Sequence, residues 1–185
     1  DVDVKPNRGD ALSIVGLARE VAAATGRQVR FPAVEVEEGD GPSTAERLAV
    51  DVLDPDLCTR FVGRWVSDVT VGPSPDHVQM RLLAAGQRPV SNVVDASNYV
   101  MLELGKPIHT FDAAAVTGGR IVVRRARHGE QLVTLDHVPR ELTDDTLVIA
   151  DEDGAIGIAG VMGGEASEIG ASNTRLEPNF CCRPW

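Results

Sequence analysis

Helical and strand-forming segments are segregated along the chain, and this segregation is the feature that most constrains the fold. Residues 10–26 and 92–105 carry apolar side chains at helical spacing. From residue 120 onward, runs rich in valine and isoleucine are separated by turn residues about every 10 positions. Helices followed by strands favour an α+β fold over a parallel doubly wound sheet. We therefore predict a β-rich layered domain of mixed or antiparallel strands with a few packed helices.

Capping residues set the predicted ends of the helices. Asp10 is expected to cap the first helix and Gly26 to end it, and Ser74 is expected to cap the second. A third helix, over residues 92–104, ends at Gly105. One apolar stripe of the first helix is expected to face the core: Ile14, Leu17, Ala18 and Val21. Strands are predicted over residues 48–53, 60–69, 120–125, 131–135, 146–150 and 155–159.

A change of character near residue 40 predicts a domain boundary. Residues 34–37 alternate valine and glutamate, and residues 39–42 read Gly-Asp-Gly-Pro, which is typical of a linker or an extended arm. We predict a partial helical module with a linker arm over residues 1–40. The main domain is predicted over residues 41–185.

The net charge and the cysteine content exclude several classes of function. A formal net charge of −10 argues against broad binding to phosphate groups, because such binding needs clustered lysine and arginine. Three cysteines without a CxxC or His–Cys spacing give no zinc signature, so no metal site is predicted. No apolar run approaches the ~18 residues of a membrane span, and the first residues do not resemble a signal peptide. We expect a soluble, cytoplasmic protein without a membrane partner.

His109 is the histidine that the sequence favours for chemistry, because it is expected in a loop directly after an apolar helix. Ser97 and Asn98 lie on that helix, where the Ser97 hydroxyl either faces a pocket or bonds back to its own helix. Gly163 and Gly164 follow a predicted strand. They either let the backbone approach a ligand or form a tight turn. The residue types alone therefore do not decide whether these positions have a functional or a structural role.

The longest distinctive stretch of the chain is residues 93–112, which read VVDASNYVMLELGKPIHTFD. Five further stretches accompany it in order: residues 6–8 (PNR) and 11–22 before it, then residues 134–136 (TLD), 147–151 (LVIAD) and 159–165 (AGVMGGE). Together they resemble the phenylalanyl-tRNA synthetase beta subunit of the bacterial type. The similarity covers its B3/B4 editing-domain region and the end of the preceding helical module.

The resemblance implies an editing site that hydrolyses the ester of mischarged tyrosyl-tRNA(Phe). The implied pocket is lined by Ser97, Asn98, His109, Gly163 and Glu177. His109 would place or activate the hydrolytic water, and Glu177 would recognise the tyrosine hydroxyl. As a hypothesis, backbone N–H groups near Gly163 and Gly164 would donate to the oxyanion. By default, a single carboxylate such as Glu177 is solvated.

The resemblance also implies the setting of this region in a larger enzyme. The parent would charge tRNA(Phe) with phenylalanine, using ATP and magnesium, as a heterotetramer of two alpha and two beta subunits. No cofactor is implied for this region, whose partners would be the 3′ end of tRNA(Phe) and the alpha subunit. The chain departs from the family at Ser97, where threonine is expected, and at His137, where glycine is expected. Two alternatives stay open: a non-catalytic module that guides RNA, and a free-standing aminoacyl-tRNA deacylase.

Overall fold

The computed structural model describes residues 2–36 and 38–169, together with the backbone of residues 179–184. Its α-helices are α1 (Ile14–Thr25), α2 (Thr44–Arg47), α3 (Asp76–Ala84) and α4 (Asn92–Leu104). Its strands are β1 (Ala49–Val52), β2 (Phe61–Val66), β3 (His109–Phe111), β4 (Arg120–Arg125), β5 (Gln131–Val133), β6 (Pro139–Glu141), β7 (Leu147–Ala150), β8 (Ala155–Ile158), β9 (Met162–Gly163) and β10 (Asn179–Pro184). This combination of a few helices with mixed strands confirms the predicted α+β class.

The chain forms two compact units. The first unit contains residues 1–41 and 73–108, and it holds α1, α3 and α4. The second unit contains residues 42–72 and 109–185, and it holds α2 and the strands β1 to β10. The division of the chain into a module over residues 1–40 and a domain over residues 41–185 stays a prediction.

The start of α1 in the first unit differs from the prediction. The hydroxyl of Ser13 accepts a hydrogen bond from the Gly16 N–H at 3.0 Å, so Ser13 caps the helix. Asp10 lies instead in a short 3-10 turn, Gly9–Leu12, that precedes the cap. This turn packs so closely that a Cβ at Gly16 would lie 1.7 Å from the Asp10 carbonyl oxygen. Gly26, with φ at 66°, ends the helix as predicted.

The apolar face of α1 that is buried also differs from the prediction. Val15 is buried, whereas Ile14 and Val21 are 63% and 60% exposed. Leu17 and Ala18 are half-buried, so the predicted stripe describes the buried face only in part. The close packing of the 3-10 turn against Gly16 explains the difference, because it turns the neighbouring Val15 inward.

A buried carboxylate joins α3 to α4. Asp95 on α4 is 1% exposed and accepts hydrogen bonds from the Ser74 hydroxyl at 2.6 Å and from the Val90 N–H at 2.8 Å. The Ser74 hydroxyl is therefore engaged with Asp95 and does not cap α3, which corrects that prediction. The bounds of α4 and its end at Gly105, with φ at 71°, are confirmed.

We expect Asp95→Ala to lower the free energy of unfolding by about 2 kcal/mol, because the buried Ser74 hydroxyl and the Val90 N–H lose their acceptor. Chemical denaturation followed by far-ultraviolet circular dichroism measures the change. Asp40→Ala removes an exposed aspartate from the same unit and should change stability by less than about 0.5 kcal/mol. Equal losses in the two variants would contradict the role of Asp95.

The second unit is built on a five-stranded sheet with the order β1-β4-β7-β8-β9. β1 and β4 run parallel, with Ala49 opposite Arg120, and the other neighbours in this sheet pair antiparallel. A three-stranded antiparallel sheet has the order β2-β10-β3, and β5 and β6 form a separate hairpin.

Two clusters of buried apolar side chains fill the second unit. The larger contains Leu48, Cys58, Phe111, Val116, Ile121, Val123, Ile149 and Ile156. The smaller contains Ala126, Leu132, Leu142, Val148 and Ala150. β3 enters the larger cluster through Phe111, together with side chains from β4, β7 and β8. Burial of Phe111 thereby fixes β3 against the core of this unit.

Candidate functional site

His109 is the first residue of β3, and the prediction that it lies in a loop is wrong. β3 pairs antiparallel with β10, which places His109 opposite Cys182 in the register. The rings of His109 and Phe111 meet edge to face, with centroids 4.5 Å apart and an interplanar angle of 77°. Residues two apart on a strand project to the same side, so the buried Phe111 ring fixes the direction of His109.

The imidazole of His109 is held in an apolar environment. Its Nε2 atom is buried and has no hydrogen-bond partner among the residues that the structure describes. Burial lowers the pKa of His109 below its usual value of 6.5, because the charged ring loses hydration. The ring is therefore neutral at neutral pH and able to accept a proton. A buried nitrogen without a partner costs free energy, and a catalytic role is one of the few explanations for such a group.

The backbone of Gly163 packs directly against the His109 ring. A Cβ at Gly163 would lie 2.4 Å from Cε1 and 2.5 Å from Nε2 of His109, and 3.3 Å from Cδ1 of Leu135. The position therefore requires glycine because of close approach, whereas the adjacent hairpin turn is made by Gly160, with φ at 71°. At Gly163 it is therefore packing against the His109 ring that requires glycine, and approach of this backbone to a ligand stays a prediction.

Gly164 is engaged within the sheet. Its N–H donates to the Ile156 carbonyl oxygen at 2.8 Å, and a Cβ at this position would lie 2.7 Å from the same oxygen. The N–H is therefore not available to an oxyanion, which corrects that hypothesis for Gly164. A contact between Gly164 and a substrate through other atoms stays a prediction.

The remaining predicted site residues lie elsewhere in the chain. Ser97 and Asn98 lie on α4 of the first unit, while His109 and Gly163 belong to the second unit. The Ser97 hydroxyl donates to the Val94 carbonyl oxygen at 2.7 Å, so it bonds back to its own helix. Asn98 is half-buried. Glu177 lies outside the described residues, and the assembly of all five residues into one pocket stays a prediction.

Comparison with known protein families settles the relationship of the chain. The model of one family, described as the B3/4 domain, matches residues 57–176. The chain belongs to the B3/4 domain family. The matched residues include α4, His109 on β3, and Gly163 on β9.

Relatives of this B3/4 domain include phenylalanine–tRNA ligase beta subunits. The subunit from Moorella thermoacetica is 49% identical over 175 residues, which cover 95% of this chain and 22% of that protein. The subunit from Anaeromyxobacter dehalogenans is 51% identical over 176 residues, with the same two coverages. The chain thus spans 22% of the length of these relatives. The predicted resemblance to the beta subunit is confirmed.

A solved structure shares the fold of this B3/4 domain. It is the crystal structure of an N-terminal fragment of the phenylalanyl-tRNA synthetase beta-subunit from Pyrococcus horikoshii. The TM-score is 0.52 at 17% identity, and the match covers 97% of this chain and 53% of that chain. The likeness concerns the fold alone, and it agrees with the α+β class.

One neighbour of His109 and Gly163 in this B3/4 domain was not predicted as a site residue. The Leu135 N–H donates to the Gly163 carbonyl oxygen at 3.1 Å, and its side chain packs on the same glycine. The stretch at residues 134–136 contributes to the family resemblance, but a single leucine carries no local sign that it approaches a histidine 26 positions earlier. Only the pairing of the strands reveals the contact.

The described part of the chain shows neither a metal-binding cluster nor a membrane-spanning helix. Within residues 2–36 and 38–169, no three side chains of His, Cys, Asp or Glu are grouped to hold a metal ion. No helix of that same part has the length and apolar character that a membrane span requires.

Proposed function

We propose that this B3/4 domain is the editing domain of a phenylalanyl-tRNA synthetase beta subunit and hydrolyses the ester of tyrosyl-tRNA(Phe). The observation that carries the proposal is the His109 ring. Its buried Nε2 has no partner among the described residues, and it lies against the Gly163 backbone. Identity of 49% to a phenylalanine–tRNA ligase beta subunit, over 95% of this chain, supports the setting.

Hydrolysis of an aminoacyl ester is within reach of such a site. The ester is already activated, so positioning a water molecule and stabilising the oxyanion are sufficient, and no covalent nucleophile is needed. In the proposed reaction, the neutral His109 ring accepts a proton as the water oxygen bonds to the ester carbon. The bond to the ribose oxygen then breaks, and the proton passes to that oxygen.

Selection of tyrosine over phenylalanine is proposed to come from Glu177. A synthetic site built for phenylalanine cannot strongly reject tyrosine, since one added hydroxyl changes discrimination by only about 10²-fold. A carboxylate in the editing pocket accepts a hydrogen bond from the tyrosine hydroxyl and is left unpaired by phenylalanine. Ser97 and Asn98 are proposed to contact the ester or the terminal adenosine.

The wider setting is part of the same proposal. The parent enzyme would be a cytoplasmic heterotetramer with the alpha subunit, and its ATP and magnesium would act in phenylalanine ligation outside this region. The net charge of −10 fits a site that admits only the single-stranded 3′ end of tRNA(Phe), where few phosphate groups need neutralising.

The test is deacylation of tyrosyl-tRNA(Phe) and phenylalanyl-tRNA(Phe) by the 185-residue chain. We expect faster hydrolysis of the tyrosyl ester, a rate about 10²-fold lower in His109→Ala, and loss of selectivity in Glu177→Ala. His77→Ala, which removes an exposed histidine on α3, is the matched control and should leave the rate unchanged.

Each contrary outcome favours a named alternative. A folded chain that binds the acceptor end of tRNA and hydrolyses neither ester would favour the non-catalytic, RNA-guiding module. Rapid hydrolysis of an ester of another amino acid, with no preference for tyrosine, would favour a free-standing deacylase.

A further inference from the structure

A hydrogen-bonded cluster is formed by the turn between β5 and β6 of the second unit and by β6 itself. It consists of Thr134, Asp136 and Arg140. The hydroxyl of Thr134, which is fully buried, donates to the Asp136 carboxylate and accepts from Arg140 Nε at 2.9 Å. A terminal nitrogen of Arg140 donates to the other carboxylate oxygen of Asp136 at 2.7 Å. The three side chains therefore close a ring of hydrogen bonds around one buried hydroxyl.

This cluster is continuous with the backbone that contacts His109. Thr134 pairs with Gly164 across an antiparallel bridge, and the Leu135 N–H donates to the Gly163 carbonyl oxygen at 3.1 Å. The Leu135 side chain and the His109 ring both lie against Gly163: the His109 ring leaves no room for a Cβ there, and Leu135 leaves little. The position of the Thr134–Leu135 backbone therefore determines how Gly163 lies against the imidazole.

The charged pair of the cluster is partly exposed, so the pair by itself is expected to contribute little to stability. The side chains of Arg140 and Asp136 are 40% and 38% exposed, and exposed ion pairs contribute little to stability. Hydrogen bonds from the Thr134 hydroxyl, the Val138 N–H and Arg140 hold the pKa of Asp136 below its usual range, so the carboxylate is charged at neutral pH and keeps these hydrogen bonds. A ring that is intact at neutral pH suits the fixing of geometry.

We propose that Arg140 and Asp136, acting through the buried Thr134 hydroxyl, are positioning residues for ester hydrolysis at His109. They hold Leu135 and Gly163 in the arrangement that sets the His109 ring. The inference rests on the proposed function, because the reaction that it serves is the proposed hydrolysis of the tyrosyl ester.

The first test compares Arg140→Gln with Arg120→Gln in the 185-residue chain. Arg120 is the matched control, because it forms an exposed pair with Asp51 at the same distance of 2.7 Å and with similar exposure, 47% and 40%. We expect Arg140→Gln to lower kcat for tyrosyl-tRNA(Phe) about tenfold with KM unchanged, and Arg120→Gln to change neither. Thermal unfolding should give similar melting temperatures for both variants.

A second readout does not depend on activity. The ring signals of His109, assigned by comparison with His109→Gln, are recorded by nuclear magnetic resonance in each variant. We expect them to shift in Arg140→Gln and in Thr134→Val, which keeps the shape of the side chain without the hydroxyl. In Thr134→Ser, which keeps the hydroxyl, and in Arg120→Gln, the His109 signals should have the same positions as in the unmodified chain.

The kinetic and the nuclear magnetic resonance readouts distinguish failure of the proposed hydrolysis from failure of the positioning role. If the unmodified chain does not hydrolyse the ester, the proposed function fails, while the His109 signals still test the coupling. Unmoved His109 signals in Arg140→Gln and Thr134→Val would overturn the positioning role. An equal loss of kcat in Arg140→Gln and Arg120→Gln would overturn it as well, because the effect would then belong to surface charge in general.

Discussion

Gly163→Ala is expected to lower the rate of tyrosyl-ester hydrolysis by about 10²-fold, because the added methyl group displaces the His109 ring. The Cβ would fall 2.4 Å from Cε1 and 2.5 Å from Nε2, and Leu135 leaves little room on its own side, at 3.3 Å. Either the imidazole or the β9 backbone has to move. A misplacement of about 1 Å is enough for an effect of this size on catalysis.

The measurement is single-turnover deacylation, combined with the His109 ring signals in nuclear magnetic resonance. Gly72→Ala is the matched control, because no atom of the described residues lies within 4 Å of a Cβ there and its φ is compatible with alanine. The control should retain full activity. Shifted His109 signals together with full activity in Gly163→Ala would show that the position of the ring does not matter for the reaction. Unchanged signals would contradict the expected displacement of the ring.

Glu130→Gln is expected to give the largest loss of stability, about 3 kcal/mol. Glu130 and Arg124 form a bidentate pair at 2.7 and 2.8 Å, and their side chains are only 10% and 13% exposed. The carboxylate also accepts from the N–H groups of Arg127 and Ala155. A neutral amide at this position leaves the Arg124 guanidinium without a negatively charged partner. Its own NH₂ group also faces N–H donors that need an acceptor.

The same carboxylate predicts a dependence of stability on pH. The hydrogen bonds from Arg124 lower the pKa of Glu130 from 4.5 to about 2 in the folded chain. A lowered pKa stabilises the fold above pH 4.5, and this stabilisation is lost as the pH falls toward 2. Denaturation between pH 7 and pH 3 should therefore show the difference between the unmodified chain and Glu130→Gln shrinking in acid.

Glu141→Gln, an exposed residue on β6, is the matched control for Glu130→Gln. Its effect on stability should stay below about 0.5 kcal/mol at every pH. A difference between Glu130→Gln and the unmodified chain that stays constant from pH 7 to pH 3 would mean that the loss comes from packing rather than from the charge.

Local patterns in the sequence predicted the elements that depend on local interactions. The bounds of α4 and β4 agree with the predictions, because an apolar stripe with a terminal glycine and a valine-rich run carry their signals within a few residues. The buried face of α1 was predicted only in part, since the packing of the preceding 3-10 turn against Gly16 also decides which side faces inward. That packing is a contact between backbones, which hydrophobic spacing does not report.

The residues of the candidate site were predictable in part, but the contacts between them were not, because these contacts depend on tertiary structure. His109 and Gly163 were recognised from the family resemblance, but their contact joins β3 to β9, and the two residues are 54 positions apart in the sequence. β3 has three residues, too few for a periodic pattern, so His109 was assigned to a loop. The ring around Thr134 depends on the turn between β5 and β6, which brings Arg140 back to a residue six positions earlier.

The parallel pairing of β1 with β4 has a consequence for the order of folding. Asp51 and Arg120, which bridge these strands, are 69 residues apart in the sequence, whereas the β5–β6 hairpin closes over a few residues. Each doubling of a loop adds roughly 0.6 kcal/mol of closure entropy, and distant contacts slow the search for the native state. Within the five-stranded sheet, we expect β1 to join last. During synthesis on the ribosome, β1 stays unpaired until β4 has been made. The intervening residues include 73–108, which belong to the other unit.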